Sequence, residues 1–411
     1  MAETADIVIV GAGIIGMSTA VQIARRSALK VVVLDKGSGP GEGSTGASSA
    51  VCRYKYTKRE TVTLARDGID AYQNWAEFLG VASPLARFHR DGVVWLSDGR
   101  HDWPASEVER LGKLGVRATV LDDQALRERF PAINPCIGAF DRIGERAHDC
   151  AGGGAHLLEL DGGYVDPMDA LQDLIARARS LGVDVRFHSE LAGLDIDGAR
   201  VTGIRTKRGE RVACGAVVNA AGPWCNAVFA MAEIVCRWPL KPTRIQVAHV
   251  DAPPDIGSVP VSCDTLGGIY FRAQNRGQQI IVGSILEEDE REVVVPDNFA
   301  RYADDGFIRE KLHVLQHRLP ALSPLRNVRG YSGLYTMNVE DVHPIVGPTP
   351  VKGFYAANGF SGHGFKLAPA IGSLLAQMLT CRRASFDTDV EAAFLAYDRE
   401  PVHVATKSVL A

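Results

Sequence analysis

Three glycines near the start of the chain have the spacing of a turn that binds phosphate groups. Residues 11–16 read GAGIIG, directly after the apolar run of residues 7–10 and before a segment of helical composition. Gly11 would allow the tight turn, Gly13 the close approach of a pyrophosphate, and Gly16 the close packing of helix on strand. The helix N-terminus, with Ile14 and Ile15, would then offer phosphates free N–H groups and a positive dipole end.

An acidic residue follows at the distance expected for a ribose contact. A second apolar run, residues 31–34, ends in Asp35, nineteen residues after Gly16, and Lys36 comes next. A carboxylate at the tip of a second strand accepts hydrogen bonds from ribose hydroxyls and disfavours a 2′-phosphate. The pattern therefore predicts a dinucleotide, FAD or NAD rather than NADP. The alternative is a buried βαβ unit that binds no ligand.

A loop rich in Gly and Ser lies between residues 37 and 49 and leads towards Arg53. Hydroxyls and backbone N–H groups beside a helix start suit a second contact with phosphates or with a flavin. The candidates for this contact are Ser44, Thr45, Gly46, Ser48 and Ser49. A flexible loop in solvent is the alternative. Arg53 would then approach the reaction centre.

The strand, glycine turn and helix order recurs near the other end of the chain. Residues 353–358 form an apolar run, GFSGHG follows at 359–364, and a helical segment extends from 365 to 379. A small-residue turn also follows the apolar strand of residues 217–219. Such a turn packs either on a nucleotide or simply on a neighbouring strand.

Composition places limits on the class of protein. The chain has 411 residues, enough for two or three domains of about 150 residues each, with 46% apolar and 23% charged residues. The net charge of −4 gives no basic surface for nucleic acid, and no apolar run is long enough to span a membrane. Glu3 and Asp6 at the N-terminus argue against a signal peptide.

The cysteines and histidines predict no metal site. The eight cysteines contain no CxxC pair, and their gaps match no zinc or cluster pattern. His313 and His317 are one helical turn apart, but no acidic third ligand accompanies them. We therefore expect reduced thiols in a cytoplasmic protein.

Four motifs in one order give the chain a family resemblance. GAGIIG, STGASS, AAGPW and FSGHGFKLAPAIG together resemble the flavin-dependent D-amino-acid oxidase and sarcosine oxidase superfamily. FSGHGFKLAP is similar to the glycine and sarcosine oxidase branch. STGASSAVCRYKY, residues 44–56, is similar to the β subunits of heteromeric sarcosine oxidases.

The resemblance implies an α/β fold with two domains. A Rossmann-like FAD-binding domain would be assembled from residues 1–84, 162–228 and 330–411. A substrate domain with a mixed, largely antiparallel sheet would comprise residues 85–161 and 229–329. The alternating runs between residues 240 and 295 are typical of such a sheet, which would lie over the planar cofactor.

The resemblance also implies which further residues contact FAD. The glycine turn and Asp35 would hold the ADP half, and the loop of residues 44–49 would line the path to the flavin. The C-terminal turn would place N–H groups and a helix dipole near the flavin. The additional candidates are Leu191, Ala221, Gly222, Trp224, Gly333, Gly359, Ser361, Gly362, His363, Gly364, Phe365 and Lys366.

The chemistry implied by the resemblance is oxidation of an amine that lies next to a carboxylate. A hydride would pass from the carbon that bears nitrogen to the flavin, and the imine would be hydrolysed by water. Arg53 and Lys366 would bind the carboxylate, His363 would orient the amine, and Tyr270 would close the pocket. Each residue also has a purely structural alternative. Arg53 would form an ion pair, Lys366 would lie on the surface, His363 would be an ordinary turn residue, and Tyr270 would be a core aromatic. The electrons would then pass to oxygen or to a carrier.

Two departures from the family pattern carry predictions. Monomeric sarcosine oxidases tether FAD through a cysteine in the segment that resembles residues 330–338, whereas this chain has no cysteine between 264 and 380. FAD should therefore be bound non-covalently. Where those oxidases carry a lysine over the flavin, this chain has Ile281, which favours a dehydrogenase or a slow oxidase.

Three functions remain open on the sequence. The first is oxidation of the C–N bond of a small N-substituted, secondary or D-amino acid. The second is oxidation of a 2-hydroxy acid, with His363 as the base. The third is a non-catalytic, FAD-bearing assembly factor, a branch that the C-terminal motif also resembles. A homo-oligomer and a complex with a partner subunit are both left open.

Overall fold

The computed structural model describes residues 3–100, 102–146, 148–404 and 407–410. The α-helices are α1 (Ile14–Arg26), α2 (Arg59–Gln73), α3 (Trp75–Leu79), α4 (Trp103–Gly112), α5 (Asp123–Arg129), α6 (Pro167–Ser180), α7 (Cys225–Met231), α8 (Asp305–Arg318) and α9 (Gly364–Thr380). None of these helices is both long enough and apolar enough to cross a membrane.

The strands follow the chain in this order. They are β1 (Glu3–Thr4), β2 (Ile7–Val10), β3 (Val31–Leu34), β4 (Val51–Cys52), β5 (Phe88–His89), β6 (Val93–Leu96), β7 (Ala118–Asp122), β8 (Ala155–Glu159), β9 (Gly163–Val165), β10 (Asp184–Arg186), β11 (Leu191–Asp197), β12 (Arg200–Thr206), β13 (Arg211–Ala213), β14 (Ala216–Asn219), β15 (Leu240–Asp251), β16 (Val261–Asp264), β17 (Ile269–Gln274), β18 (Gln279–Ser284), β19 (Arg329–Asn338), β20 (Ile345–Pro348) and β21 (Phe354–Asn358).

A six-stranded sheet carries the glycine turn. Its order is β10-β3-β2-β14-β21-β20, and all neighbours are parallel except β20 and β21. Every residue of β2, β3 and β14 is buried, as expected of parallel strands with both faces covered. The carboxyl ends of β2, β14 and β21 lie side by side, so the turns that follow them meet at one edge.

The larger sheet has eight strands in the order β19-β15-β18-β17-β16-β6-β8-β7. Its neighbours are antiparallel except β6 and β16. The α/β fold with a second, mixed sheet is therefore confirmed. β19 pairs with β15 from Asn338 to Arg329, so the domain boundary drawn at residue 330 separates this strand from its sheet. Two smaller sheets have the strand orders β1-β13-β12-β11 and β4-β9-β5.

Helix α9 is packed unusually closely on its neighbours. A Cβ added to Gly372 would lie 2.6 Å from the carbonyl carbon of Ser18 in α1, and one on Gly68 of α2 would lie 2.1 Å from the carbonyl oxygen of Lys366. Both glycines therefore allow backbone to meet backbone. These two contacts fix where α9 begins, and with it the turn of residues 359–364.

Candidate active site

A cavity of about 880 Å³ lies between the two large sheets. Its wall includes Gly11 and Asp35, which directly follow strands of the six-stranded sheet, Tyr270 of the eight-stranded sheet, and Lys366 at the start of α9. Cofactor and ligand sites typically have volumes of roughly 300–1,000 Å³. The two glycine turns therefore open into one space of a size suited to a dinucleotide.

The glycine turn has the close contacts that its sequence predicts. Gly11 has a φ of +111°, and a Cβ there would lie 2.3 Å from the carbonyl oxygen of Ala220. A Cβ on Gly16 would lie 2.0 Å from the carbonyl oxygen of Gly11, so Gly16 packs α1 onto the turn. Only glycine fits either position without a shift of the backbone.

The N-terminus of α1 offers donors to the cavity. The amide of Ile14 donates to Oγ1 of Thr45 at 3.0 Å. The amides of Gly13 and Ile15 have no acceptor elsewhere in the described chain. Gly13 also has no side chain on the cavity side. This cradle of free N–H groups at a helix N-terminus fits a pyrophosphate.

Asp35 lies at the tip of β3 and is held by the glycine turn. Its Oδ2 accepts a hydrogen bond from the amide of Ala12 at 2.8 Å, and its Oδ1 accepts one from the amide of Gly37 at 2.8 Å. Each carboxylate oxygen has further lone pairs, so the side chain can still accept bonds from a ligand in the cavity. This placement fits contact with a ribose.

A short polar rim closes the nucleotide end of the cavity. Nε1 of Trp224 donates to Asp297 at 3.0 Å, and Nζ of Lys36 lies 4.2 Å from the centre of the Trp224 ring. Lys36 also forms an ion pair with Asp297. Asp297 was not among the predicted residues, because it lies in an irregular segment far from the motifs.

Arg53 lines the other end of the cavity and is 3% exposed. Its guanidinium carbon lies 3.9 Å from the centre of the Tyr56 ring, and its N–H groups donate to the carbonyls of Lys55 and Val409. Glu159 accepts from the amide of Lys55 at 2.9 Å, which holds the segment that carries Arg53. Arg53 therefore enters the cavity wall as a fixed cation.

Lys366 is the third residue of α9 and also lines the cavity. Burial, together with the nearby Arg53 guanidinium, lowers the pKa of Lys366 to about 7. The positive end of the α9 dipole acts in the same direction. The side chain can therefore gain or lose its proton near neutral pH, and an anion beside it would favour the charged form.

Tyr270 projects from β17 towards the same end. Its hydroxyl is hydrogen-bonded to the hydroxyl of Ser49, and burial raises its pKa. Opposite it in the register, Gly283 would place a Cβ within 2.4 Å of the Tyr270 ring. The glycine therefore leaves the space in which the tyrosine lies.

The structure brings most of the predicted site residues into one wall. Those that line the cavity are Gly11, Gly13, Ile14, Ile15, Asp35, Lys36, Ser44, Thr45, Ser48, Ser49, Arg53, Leu191, Ala221, Gly222, Trp224, Tyr270, Gly333, Ser361, Gly362, Gly364, Phe365 and Lys366. Gly16, Gly46 and Gly359 lie behind it. A Cβ on Gly46 would meet the carbonyl oxygen of Gly41 at 2.1 Å, and one on Gly359 would meet Leu240 at 2.8 Å, so these glycines serve packing.

His363 is the one predicted catalytic residue that does not line the cavity. It is fully buried, and its Nε2 lies 2.9 Å from the carbonyl oxygen of Val409. Burial and the Lys366 and Arg53 cations hold its pKa well below the usual range, so the ring is neutral. The predicted contact of His363 with the amine stays a prediction, and in this structure the ring meets the backbone of Val409 rather than the cavity.

That segment, residues 408–410, was not predicted to take part. Val409 and Leu410 line the cavity, and the amide of Val409 donates to Glu290 at 3.1 Å. Burial raises the pKa of Glu290 to about 8. No motif marks these residues in the sequence, because their position depends on contacts with elements more than a hundred residues away.

Comparison with known proteins identifies the family. The model of the FAD dependent oxidoreductase family, DAO, matches residues 6–378. The chain belongs to this family. Its cofactor is FAD, which the glycine turn, Asp35 and the α1 N-terminus would hold by the ADP half.

Several relatives and solved structures are similar to this chain over most of its length. FAD-dependent oxidoreductase domain-containing protein 1 of Xenopus laevis is 29% identical over 415 residues, which cover 92% of this chain and 79% of the relative. Sarcosine oxidase subunit beta of Rhizobium meliloti (strain 1021) is 28% identical, over 91% and 84%. The structure of L-proline dehydrogenase from P. horikoshii has a TM-score of 0.81 at 23% identity, over 97% and 98%, and so shares the fold.

Proposed function

We propose that this FAD-dependent oxidoreductase oxidises the C–N bond of a small amino acid that is N-substituted, secondary or of D configuration. One observation carries the proposal: the buried cations of Arg53 and Lys366 line the same cavity as the dinucleotide turn. Arg53 and Lys366 form no ion pair within the described chain, and burial raises the pKa of the nearby Glu159 and Glu290 carboxyls, so a small anion fits beside the two basic groups. FAD, when bound, supplies the two-electron chemistry as a hydride acceptor.

In this proposal Arg53 and Lys366 bind the substrate carboxylate. Arg53 offers a guanidinium fork that matches the two oxygens of a carboxylate. Lys366 takes up a proton as the carboxylate approaches, because an anion nearby raises the pKa of an ammonium group. Together they would orient the α-carbon in the cavity.

Tyr270 and the segment of residues 408–410 shape the remaining wall. The Tyr270 hydroxyl is held by Ser49, and Leu410 adds an apolar surface. We expect these groups to exclude water from the reacting carbon and to limit the substrate to a small side chain. Because the flavin supplies the redox chemistry, the reaction requires no acid–base triad.

We propose further that FAD is bound non-covalently and that a carrier accepts the electrons. Among the cysteines of the described chain, Cys263 alone lines the cavity, and burial raises its pKa to about 12, so its thiol stays protonated. Ile281 is buried and lies on the same face of the large sheet as Tyr270, because Gly283, two residues further along β18, is opposite Tyr270; its side chain does not itself line the cavity. An apolar residue there supports a dehydrogenase or a slow oxidase.

Two relatives support the proposal of a partner subunit and of an N-methyl amino acid as substrate. The sarcosine oxidase relative is a β subunit, and dimethylglycine dehydrogenase of Rattus norvegicus is 25% identical over 94% of this chain and 44% of its own length. We propose that an N-methyl amino acid is the first substrate to test, and that a partner subunit is a candidate electron acceptor. The predicted cytoplasmic location stays a prediction.

The experiment is anaerobic titration of the yellow holoenzyme with sarcosine, D-alanine, proline and a 2-hydroxy acid. We expect an amino acid to bleach the flavin absorbance and the hydroxy acid to leave it unchanged. The base predicted for a hydroxy acid, His363, does not line the cavity, and Lys366 is assigned to the carboxylate in this proposal. Bleaching by the hydroxy acid alone would contradict the proposal, and a flavin that no compound reduces would favour a non-catalytic role.

A further inference from the structure

Four side chains that could bind a metal ion meet outside the cavity. Cys136, His148 and Cys150 belong to the loop of residues 131–154, and His317 lies in the last turn of α8. Their ligand atoms all lie within 4.8 Å of one another. Four donors of a tetrahedral zinc ion, at about 2.3 Å for sulfur and 2.0–2.1 Å for nitrogen, are roughly 3.3–3.8 Å apart. Small movements would therefore close the cluster around one ion.

The two histidines present nitrogen atoms suited to this role. Nδ1 of His148 lies 3.0 Å from the carbonyl oxygen of Ala139, and its Nε2 lies 3.2 Å from Sγ of Cys136. A ring proton on Nδ1 satisfies the carbonyl and leaves the lone pair of Nε2 facing the cluster, as in most zinc-bound histidines. Nε2 of His317 is buried with no partner in the described chain. An unpaired buried nitrogen is costly, and a ligand beside it would remove that cost.

The backbone around Cys136 is shaped for a sulfur ligand. The amide of Gly138 donates to Sγ of Cys136 at 3.3 Å. A Cβ on Gly138 would lie 2.6 Å from the carbonyl oxygen of Asp149 and 3.2 Å from Cε1 of His148. Only glycine allows the loop to fold back so closely, and this turn brings His148 and Cys150 to Cys136.

The two halves of the cluster are fixed to each other. The amide of Ile137 donates to the carbonyl of Ala151 at 2.9 Å, which closes the loop at its base. Arg318, next to His317, donates to the carbonyl of Asn134 at 3.1 Å and pairs with Asp264 at 2.6 Å. The described part of residues 131–154 contains no helix or strand between Arg129 and Ala155, so a loop of this length requires another source of order.

We propose that Cys136, His148, Cys150 and His317 bind one structural Zn²⁺ ion that fixes the loop of residues 131–154 to α8. Protein ligands fill all four positions, so no position is open for substrate. Binding converts two thiols to thiolates and releases two protons, and the resulting centre is neutral. None of the four residues lines the cavity, so this site is independent of the proposed amine oxidation.

The competing outcome is a disulfide between Cys136 and Cys150, which would remove both sulfur ligands. The test therefore begins with reduced, chelator-treated holoenzyme, dialysed against a zinc buffer and analysed for metal per chain. We expect one Zn²⁺ in the wild type and less than a tenth of one in Cys136→Ser, Cys150→Ser and His317→Gln. His313→Gln, one turn earlier in α8, and Cys381→Ser, an exposed free thiol, should keep one Zn²⁺.

Two further measurements distinguish loss of the metal site from misfolding of the variants. Co²⁺ added to the wild-type chain should give the visible absorption of a tetrahedral thiolate site, and this needs no substitution. Flavin absorbance should be equal in all variants, which shows that they fold whether or not the amine oxidation is correct. A reduced wild type that takes up neither Zn²⁺ nor Co²⁺, or control variants that lose as much metal as the cluster variants, would overturn the proposal.

Discussion

The carboxylate of Asp35 accepts a 2.8 Å hydrogen bond from the amide of Ala12, and this bond joins the tip of β3 to the glycine turn. Asp35→Ala removes an acceptor from both the turn and the ribose position. We expect flavin affinity to fall about tenfold to a hundredfold, the scale of a lost hydrogen bond to a charged group. Asp35→Asn, which keeps one acceptor, should lose less. Equal flavin affinity in all three proteins would remove Asp35 from the site.

The conformation of Gly11 gives a prediction about stability. Gly11→Ala places a methyl group 2.3 Å from the carbonyl oxygen of Ala220 at a φ of +111°, so we expect destabilisation by about 2 kcal/mol or more. Gly39→Ala is the matched control, because that glycine also lines the cavity but has nothing within 4 Å. Thermal unfolding without added FAD measures both. A Gly11→Ala protein as stable as the control would show that the turn is not held as described.

Tyr72 of α2 supplies a hydrogen bond that Pro369 of α9 cannot make. Pro369 has no N–H group to bond the carbonyl of Phe365, and the hydroxyl of Tyr72 donates to that carbonyl at 2.9 Å. Tyr72→Phe should therefore cost about 1–3 kcal/mol of unfolding free energy. In a Pro369→Ala background the new N–H group bonds Phe365, so Tyr72→Phe should cost less. Denaturant unfolding of the four proteins measures this coupling, and strictly additive effects would contradict it.

Arg53→Met tests the carboxylate anchor. We expect kcat/KM for an amino acid substrate to fall at least tenfold. The substrate carboxylate loses its two hydrogen bonds to the guanidinium of Arg53 and is then bound by Lys366 alone. Oxidation of an amine that lacks the carboxylate should change much less. A similar loss for both substrates would show that Arg53 acts only through the structure of the wall, where it also bonds the carbonyls of Lys55 and Val409.

The lowered pKa of Lys366 predicts how carboxylate binding depends on pH. The cationic form exists below a pKa of about 7, so binding of propionate to the holoenzyme should be strongest there and weaken as the pH rises above 7. Calorimetry at pH 8 should detect proton uptake on binding. Lys366→Met should bind weakly at every pH and without proton uptake. A wild-type affinity that is flat from pH 6 to pH 9 would contradict this account of Lys366.

The parts of the site that sequence could predict are local ones. The turn of Gly11, Gly13 and Gly16 follows directly from strand, turn and helix composition, and Asp35 follows from its position after the second strand. Arg53 and Lys366 were predicted because each adjoins a recognisable motif. These residues can be recognised from their types and their spacing in the sequence, because neither depends on how distant parts of the chain fold.

The parts that sequence could not predict depend on distant contacts. The sequence predicts His363 beside the substrate, whereas in the structure its ring contacts the backbone of Val409, and no pattern in the chain indicates where residues 408–410 pack. The gaps between Cys136, His148 and Cys150 match no zinc pattern. The fourth group, His317, comes from a helix more than 160 residues later. The domain boundary predicted at residue 330 likewise separates β19 from the eight-stranded sheet. The composition of a strand does not indicate that β19 pairs with β15.

The central claim is that the cavity oxidises the carbon–nitrogen bond of a small amino acid. The most direct test is a single turnover without oxygen, in which the holoenzyme is mixed with the amino acid that bleaches its flavin and the products are counted. The account predicts one carbonyl group formed for each flavin reduced. An acyclic substrate also releases one amine or ammonia, whereas a cyclic one such as proline opens to a single amino carbonyl product. Reduction that releases a keto acid from a hydroxy acid, with no nitrogen product from any amino acid, would contradict it.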